Sequence, residues 1–341
     1  MFWLLTSAAL FTILSVNTGV SATTMTHNIT PRFIHSHNDY TRDTPFFDAL
    51  KHGVMSFEAD LHIVREGDFV DLAVSHDAVE FKGHQSFKTV YLDPLEFLLD
   101  DAESRRHNAN GSFSGLYDND PTKSIQLLID YKVDGEYLHP LLIKYLDHFR
   151  TRNFLTTYDA TTDQFTERAI TVVCTGSCRI EDVLAQQPRD IFFDAPLDEL
   201  KTFPYGREVS PLASVSLEKV LGKWGSWNLN AKRMNSMRYM LEDASMSGIK
   251  SRLWGGPSWP SCSRDATTKI LSEAGVWWTS GDDLAATAKI YDDARTAIGM
   301  GLCHFWISVR VITTFLLVVL AGRWLSRARR SLVVRRATRT L

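Results

Sequence analysis

No glycine-rich phosphate loop and no dinucleotide fingerprint follows any of the apolar, β-branched runs of this 341-residue sequence. That lowers the open doubly wound sheet, which usually carries such loops, to second place among architectures. Cysteine is scarce, with only Cys174, Cys178, Cys262 and Cys303. The Cys174 and Cys178 pair in VVCTGSC has no second close Cys or His pair beside it, which argues against zinc; it could close a small loop in an oxidising compartment or remain as two buried thiols. Acid is missing from the C-terminal end, where Arg310, Arg323, Arg327, Arg329, Arg330, Arg335, Arg336 and Arg339 follow Arg295 without one Asp or Glu. The formal charge of −3 therefore hides a body in which 29 Lys and Arg face 40 Asp and Glu, about −11. A body of that sign argues against nucleic acid as the main partner and suits carboxylates gathered around a cation.

Both ends read as targeting segments. The run MFWLLTSAALFTILSVNTGVSA is apolar, lacks Lys and Arg, and ends in Val20-Ser21-Ala22, small residues at signal-peptidase spacing. It is expected to be a signal peptide over residues 1–22, with an uncleaved anchor as the alternative; residues 23–32 then form a short linker. The tripeptides starting at Asn28 and Asn110 are glycosylation sequons usable in a secretory lumen. Residues 298–322 are apolar over a spanning length, interrupted by His304 and Arg310, and RWLSRARRSLVVRRATRTL comes next. A membrane anchor with a cytoplasmic basic end fits 296–341; the mid-span arginine leaves a basic amphipathic surface segment, or a mis-assigned exon, as alternatives. The expected setting is the secretory pathway, extracellular or anchored with the folded body outside the cytoplasm.

Between residues 33 and 295, short β-branched runs alternate with helical stretches, the pattern of parallel β/α units. Strands are expected at 33–36, 54–63, 70–75, 124–130, 169–174, 190–194, 214–217, 250–254 and 276–279, the third joined to the second through Glu66-Gly67-Asp68. Helices are expected after Thr44-Pro45 and over 137–150 and 232–245, and residues 101–123 read as a surface excursion. A (β/α)8 barrel is the leading fold.

In such a barrel the chemistry sits at the carboxyl ends of the strands. In SFEADLH, Glu58 and Asp60 are two apart and leave one face of a strand together. Buried side by side they would repel unless a cation lay between them. In IDYKVDG, Asp130 and Lys132 repeat the spacing, so Glu58, Asp60 and Asp130 offer three hard oxygens, the donors of Mg²⁺ or Ca²⁺. Lys132 suits a phosphate oxygen. VSHD puts His76 at the hairpin's end, and HSHNDY sets His35 and His37 on one face, so alternation alone does not separate them. Two histidines beside a cation suit acid–base work near neutral pH. A glycoside hydrolase on the same fold would also show strand-end carboxylates, but needs neither the histidines nor the lysine.

HNDY, FEAD, LAVSHD and LLIDYKVDG in this order resemble the phosphatidylinositol-phospholipase-C-like phosphodiesterase superfamily, a TIM-barrel group that includes glycerophosphodiesterases and the spider-venom phospholipase D toxins. YLDPLEFLL, TVVCTG, FFDAPL, LWGGPSWP and GDDL extend the likeness, over about residues 33–295, to the fungal family called altered inheritance of mitochondria protein six. The resemblance implies a metal-dependent phosphoric diester hydrolase acting on a glycerophosphodiester or (lyso)phospholipid-type substrate. One divalent ion, Mg²⁺ or Ca²⁺, would lie on Glu58, Asp60 and Asp130, with His37 and His76 as the catalytic pair and Lys132 on the phosphate. His37, 21 residues before Glu58, holds the superfamily's spacing, and His35, one layer deeper, becomes a packing residue or one that supports a residue of the site. The alternative is a non-catalytic lipid- or protein-binding module on the same barrel.

Overall fold

Apolar runs bounded by turn residues become strands, and eight of them lie parallel. The computed structural model describes residues 25–79, 83, 85–105, 113–222 and 231–294. Its strands are β1 (Arg32–Ser36), β2 (Val54–Glu66), β3 (Phe69–Val74), β4 (Ile125–Tyr131), β5 (Thr157–Asp159), β6 (Gln164–Thr166), β7 (Ile170–Gly176), β8 (Ile191–Pro196), β9 (Leu212–Ser216), β10 (Lys250–Trp254) and β11 (Thr279–Gly281). They pair in the order β10-β9-β8-β7-β4-β2-β1-β11. An Arg252–Trp278 bridge, with Trp278 N donating to the Ser251 carbonyl over 2.9 Å, joins the two ends. The fold is the expected (β/α)8 TIM barrel.

Alternation sorts the side chains. On β2, Phe57, Ala59 and Leu61 are fully buried and belong to the apolar layer beneath the helices, while Ser56, Glu58 and Asp60 share the other face, toward the barrel axis. β2 then overshoots the ladder: Leu61–Glu66 pair antiparallel with β3. The hairpin therefore rises above the mouth and returns the chain to Ser75, whose N–H donates to the Asp60 carbonyl over 3.1 Å.

Some expectations need correction. Helix 137–150 is two helices, Gly135–Tyr145 and Asp147–Thr151, which meet at Leu146 (φ −86°, ψ −2°), where Arg150 turns back onto the Ile143 carbonyl at 3.2 Å. The surface excursion is shorter than expected. A helix holds Asp93–Arg105, and Leu116 and Tyr117 are buried, the phenol donating to the Val54 carbonyl over 2.6 Å. The final strand is not 276–279 but Thr279–Gly281, because the pairing with β1 starts at Thr279 opposite Ile34. The β5–β6 hairpin and the helix Ser261–Ala274 have no counterpart among the expected elements. Cys174 and Cys178 are disulfide-bonded, and Cys262 is free and exposed. Met25 and Ile29 pack on the core within the expected linker. Among the described residues no helix is long and apolar enough to cross a membrane. The expected signal peptide, the Asn110 sequon, Cys303, and the apolar stretch 298–322 with its basic tail lie outside the described residues.

One buried histidine ties stability to pH. His139, 3% exposed, lies between the Tyr131 hydroxyl at 2.9 Å and the Gln186 amide at 3.0 Å. Burial holds its pKa below the ordinary 6.5. The unfolded chain thus binds more protons than the folded one just below pH 6.5, and stability must rise with pH through that window and level off above it. His139→Gln is expected to flatten this slope in denaturant unfolding between pH 5 and 7; an unchanged slope would assign it to other groups.

Candidate functional site

The ladder between β2 and β4 sets Asp60 opposite Asp130, so two carboxylates leave adjacent strands on one face at the mouth. Glu58 stands one layer below. Ligand oxygens of Glu58, Asp60 and Asp130 all lie within 4.8 Å of one another, a group that could hold a metal ion. Asp60 is 1% exposed, and its Oδ1 has no hydrogen-bond partner. A bare buried anionic oxygen is costly unless a cation meets it, and oxygen-only donors suit a hard ion such as Mg²⁺ or Ca²⁺. The residues fit the group.

The other Asp60 oxygen is crowded. Oδ2 accepts from Tyr40 Oη at 2.8 Å and lies 3.1 Å from His76 Nδ1 and 2.9 Å from Lys132 Nζ. Lys132 Nζ is also 2.6 Å from Asp130 Oδ2. Burial disfavours the charge on Lys132, but its two carboxylate partners outweigh that and raise its pKa. Asp130 is raised as well, since burial exceeds what Lys132 returns. His76 is mostly exposed at the hairpin's end.

Glu58 is held from several sides. Its Oε1 lies 3.1 Å from Arg252 Nη2, its Oε2 accepts the Asn38 N–H at 3.1 Å, and His35 Nε2 is 3.4 Å away. Burial would raise its pKa; Arg252, then His35 and His37, drive it well below the ordinary value. His35 ends a chain of bonds across the barrel. Trp278 Nε1 donates to Gln126 Oε1 at 3.1 Å, Gln126 Nε2 donates to Ser56 Oγ at 2.9 Å, and Ser56 Oγ is 2.8 Å from His35 Nδ1. With Ser56 donating to Nδ1, the Nε2 proton points at Glu58. Burial first, and then Arg252, lower the His35 pKa to about 4, so the ring is neutral at pH 7.

His37 is placed differently. Its Nδ1 lies 2.7 Å from Asp282 Oδ1 and its Nε2 3.8 Å from Glu58 Oε2, with a third of the side chain exposed. A carboxylate only accepts, so Nδ1 carries the proton and Nε2 is turned into the site. Burial lowers the His37 pKa, but the Asp282 hydrogen bond and the charges of Glu58 and Asp282 overcome it, and the net shift is upward. Beside His37 opens a pocket lined by Trp254, Gly256, Arg264, Ser280 and Asp282.

The turn Asn38-Asp39-Tyr40 both shapes the loop and serves the site. Asn38 takes a left-handed conformation, φ 47°. Asp39, wholly buried, accepts from Ser36 Oγ at 2.5 Å, from the Phe46 N–H at 2.7 Å and from Tyr91 Oη at 3.2 Å, and so fixes the chain on both sides of the turn. Tyr40 reaches Asp60 through its hydroxyl. Gly176, φ +67°, ends β7 where any Cβ would overlap Asp130 Oδ1 and approach the Tyr131 carbonyl to 2.8 Å. Gly176→Ala is expected to destabilise the protein by about 1–3 kcal/mol and to move the Asp130 carboxylate; an unshifted thermal midpoint would contradict this.

All six residues predicted for the site, His37, Glu58, Asp60, His76, Asp130 and Lys132, converge at the mouth. Sequence reasoning missed Asp282, Arg252 and Asp194. Asp194 lies inside the barrel on β8, where burial pushes its carboxyl up to about 6 against the opposing charge of Arg252. Two of the three stand in motifs already singled out, FFDAPL and GDDL; Arg252 directly precedes LWGGPSWP.

The model of a family described as AIM6-like phosphodiesterase domain matches residues 23–194. Curated relatives are similar over most of the chain. An altered inheritance of mitochondria protein 6 homolog of Arthroderma benhamiae is 32% identical over 79% of this chain and 86% of its own. Altered inheritance of mitochondria protein 6 of Eremothecium gossypii is 31% identical over 75% and 68%, and that of Saccharomyces cerevisiae 31% over 68% and 64%. No solved structure matches.

Proposed function

From the chain's membership of the AIM6-like phosphodiesterase domain family, we propose that it is a metal-dependent phosphoric diester hydrolase acting on a glycerophosphodiester or lysophospholipid-type substrate. The observation that carries the reading is the convergence of Glu58, Asp60 and Asp130 within 4.8 Å, with His37, His76 and Lys132 around them. Glu58, Asp60 and Asp130 would hold one Mg²⁺ or Ca²⁺, and the bound ion would supply charge to neutralise the phosphate and its developing negative charge.

The chain's own groups do the rest. Lys132, already held between Asp60 and Asp130, stands where it can donate to a non-bridging phosphate oxygen. His37 keeps its ring fixed through Asp282 and presents Nε2 to the reacting atoms; His76 faces from the hairpin. One of the two takes the proton of the attacking hydroxyl or attacks phosphorus itself, and the other returns a proton to the leaving oxygen. The pocket beside His37 gives the leaving group room. The bonded Cys174 and Cys178 support a secretory-pathway setting, since disulfides persist in oxidising compartments.

The test is phosphorus NMR of the purified chain with glycerophosphocholine and lysophosphatidylcholine. Turnover with Mg²⁺ or Ca²⁺, lost in chelator and regained on adding metal back, is the expected result. No turnover of either substrate with excess metal would end this reading.

A further inference from the structure

Arg252 is an unusual occupant of the barrel interior. It is 4% exposed, one donor, Nη2, meets Glu58 Oε1 at 3.1 Å, and its Nε is buried with no hydrogen-bond partner. A guanidinium with a bare donor is under-satisfied where it stands. Asp194 has a complementary defect on one oxygen, for its Oδ1 is buried and without a partner, while Ser214 and Thr175 stand beside the carboxylate. Its carboxyl is raised by burial, and Arg252 is the strongest influence opposing that. One cation thus acts on two carboxylates and bonds only Glu58.

Charge balance changes once Glu58 serves as a ligand. Three ligand carboxylates carry about −3, and a divalent ion with Lys132 supplies about +3. The Arg252 charge is then an excess facing a cation across a shared carboxylate, in an interior where like charges repel strongly. Asp194 is the acceptor left to it.

We propose that Asp194 is a positioning residue for the metal site: it takes Arg252 over when Glu58 binds the ion, and so sets the affinity for the ion. The inference rests on the metal-site reading above. It assigns the unpaired Nε and Oδ1 to each other in the loaded state, and explains why an arginine is tolerated beside a carboxylate that must be free to coordinate.

Titration of the full-length chain with Mn²⁺, followed by the electron paramagnetic resonance signal of the free ion, tests it. Asp194→Asn keeps the size of the side chain and loses its charge, and is expected to weaken Mn²⁺ binding about tenfold, with Asp194→Glu recovering most of the loss. In an Arg252→Gln background the same Asp194→Asn change is expected to alter affinity less than about twofold, since the cation it served is gone. Wild-type affinity in Asp194→Asn, or the full tenfold loss persisting without Arg252, overturns the inference. Should Arg252→Gln not fold, a Mn²⁺-loaded crystal structure of the wild type decides: Arg252 paired with Asp194 supports the inference, and Arg252 still on Glu58 overturns it. A wild type that binds no Mn²⁺ removes the metal-site reading and this inference together, whereas normal wild-type binding with an indifferent Asp194→Asn removes only the latter.

Discussion

Asp60→Asn is expected to lower phosphodiester turnover by about 10³-fold or more, roughly 4 kcal/mol of transition-state stabilisation, and to abolish Mn²⁺ binding, with the barrel intact. Asp60 is where the site's contacts meet. One of its oxygens is buried and bare; the other receives Tyr40, His76 and Lys132. Asparagine preserves shape and one acceptor but removes the charge a hard cation needs. The stability data should move the other way. Without metal, three carboxylates face only Lys132 and Arg252, so deleting one negative charge relieves the remaining repulsion, and the thermal midpoint in chelator should hold or rise. Added Mg²⁺ should stabilise only the wild type, because a ligand that binds the native state alone shifts unfolding by mass action. A variant that still gains stability from Mg²⁺ would show that Asp60 is not a ligand.

How much of this can be read from the sequence depends on the range of each contact. Glu58 and Asp60 are legible because a strand repeats every two residues, and the polar pair interrupts an otherwise apolar run. β10 is legible at its full bounds, Lys250–Trp254, a stretch closed on one side by Gly248 and on the other by Gly255. β11 starts three residues later than the sequence pattern suggests, because Val276-Trp277-Trp278 is the more apolar run, while the pairing that defines the strand is made with β1, at the other end of the chain. That shift hides Asp282. Placed in the loop after a strand ending at Thr279, GDDL reads as a surface turn; placed after Gly281, it puts a carboxylate on His37. Arg252 is illegible for a related reason. An arginine in a short strand reads as solvent-facing, and its true partner, Glu58, lies 194 residues away. No local period reports which residues meet across a closed barrel.

His37→Ala is expected to cut turnover at saturating metal by about 10²–10⁴-fold, the range of one general acid or base, with Mn²⁺ affinity and thermal midpoint close to wild type. His35→Ala is expected to do the reverse, destabilising by about 2 kcal/mol or more and weakening the metal site, while retaining more turnover once metal is saturating. The two histidines are two residues apart, yet their surroundings divide the work. His35 is fully buried, neutral, and the last member of the Trp278, Gln126, Ser56 chain that presents a proton to Glu58; removing it leaves the Ser56 hydroxyl proton without its acceptor and Glu58 less firmly placed. His37 is a third exposed, contributes little to packing, and has its free Nε2 turned toward the space above the carboxylates. Asp282→Ala gives an independent reading. If Asp282 holds the proton on Nδ1 and the ring in its orientation, its loss should reproduce much of the His37→Ala defect in kcat with little change in KM. If turnover survives both His37→Ala and Asp282→Ala but falls with His35→Ala, the deeper histidine carries the proton and the assignment must be exchanged.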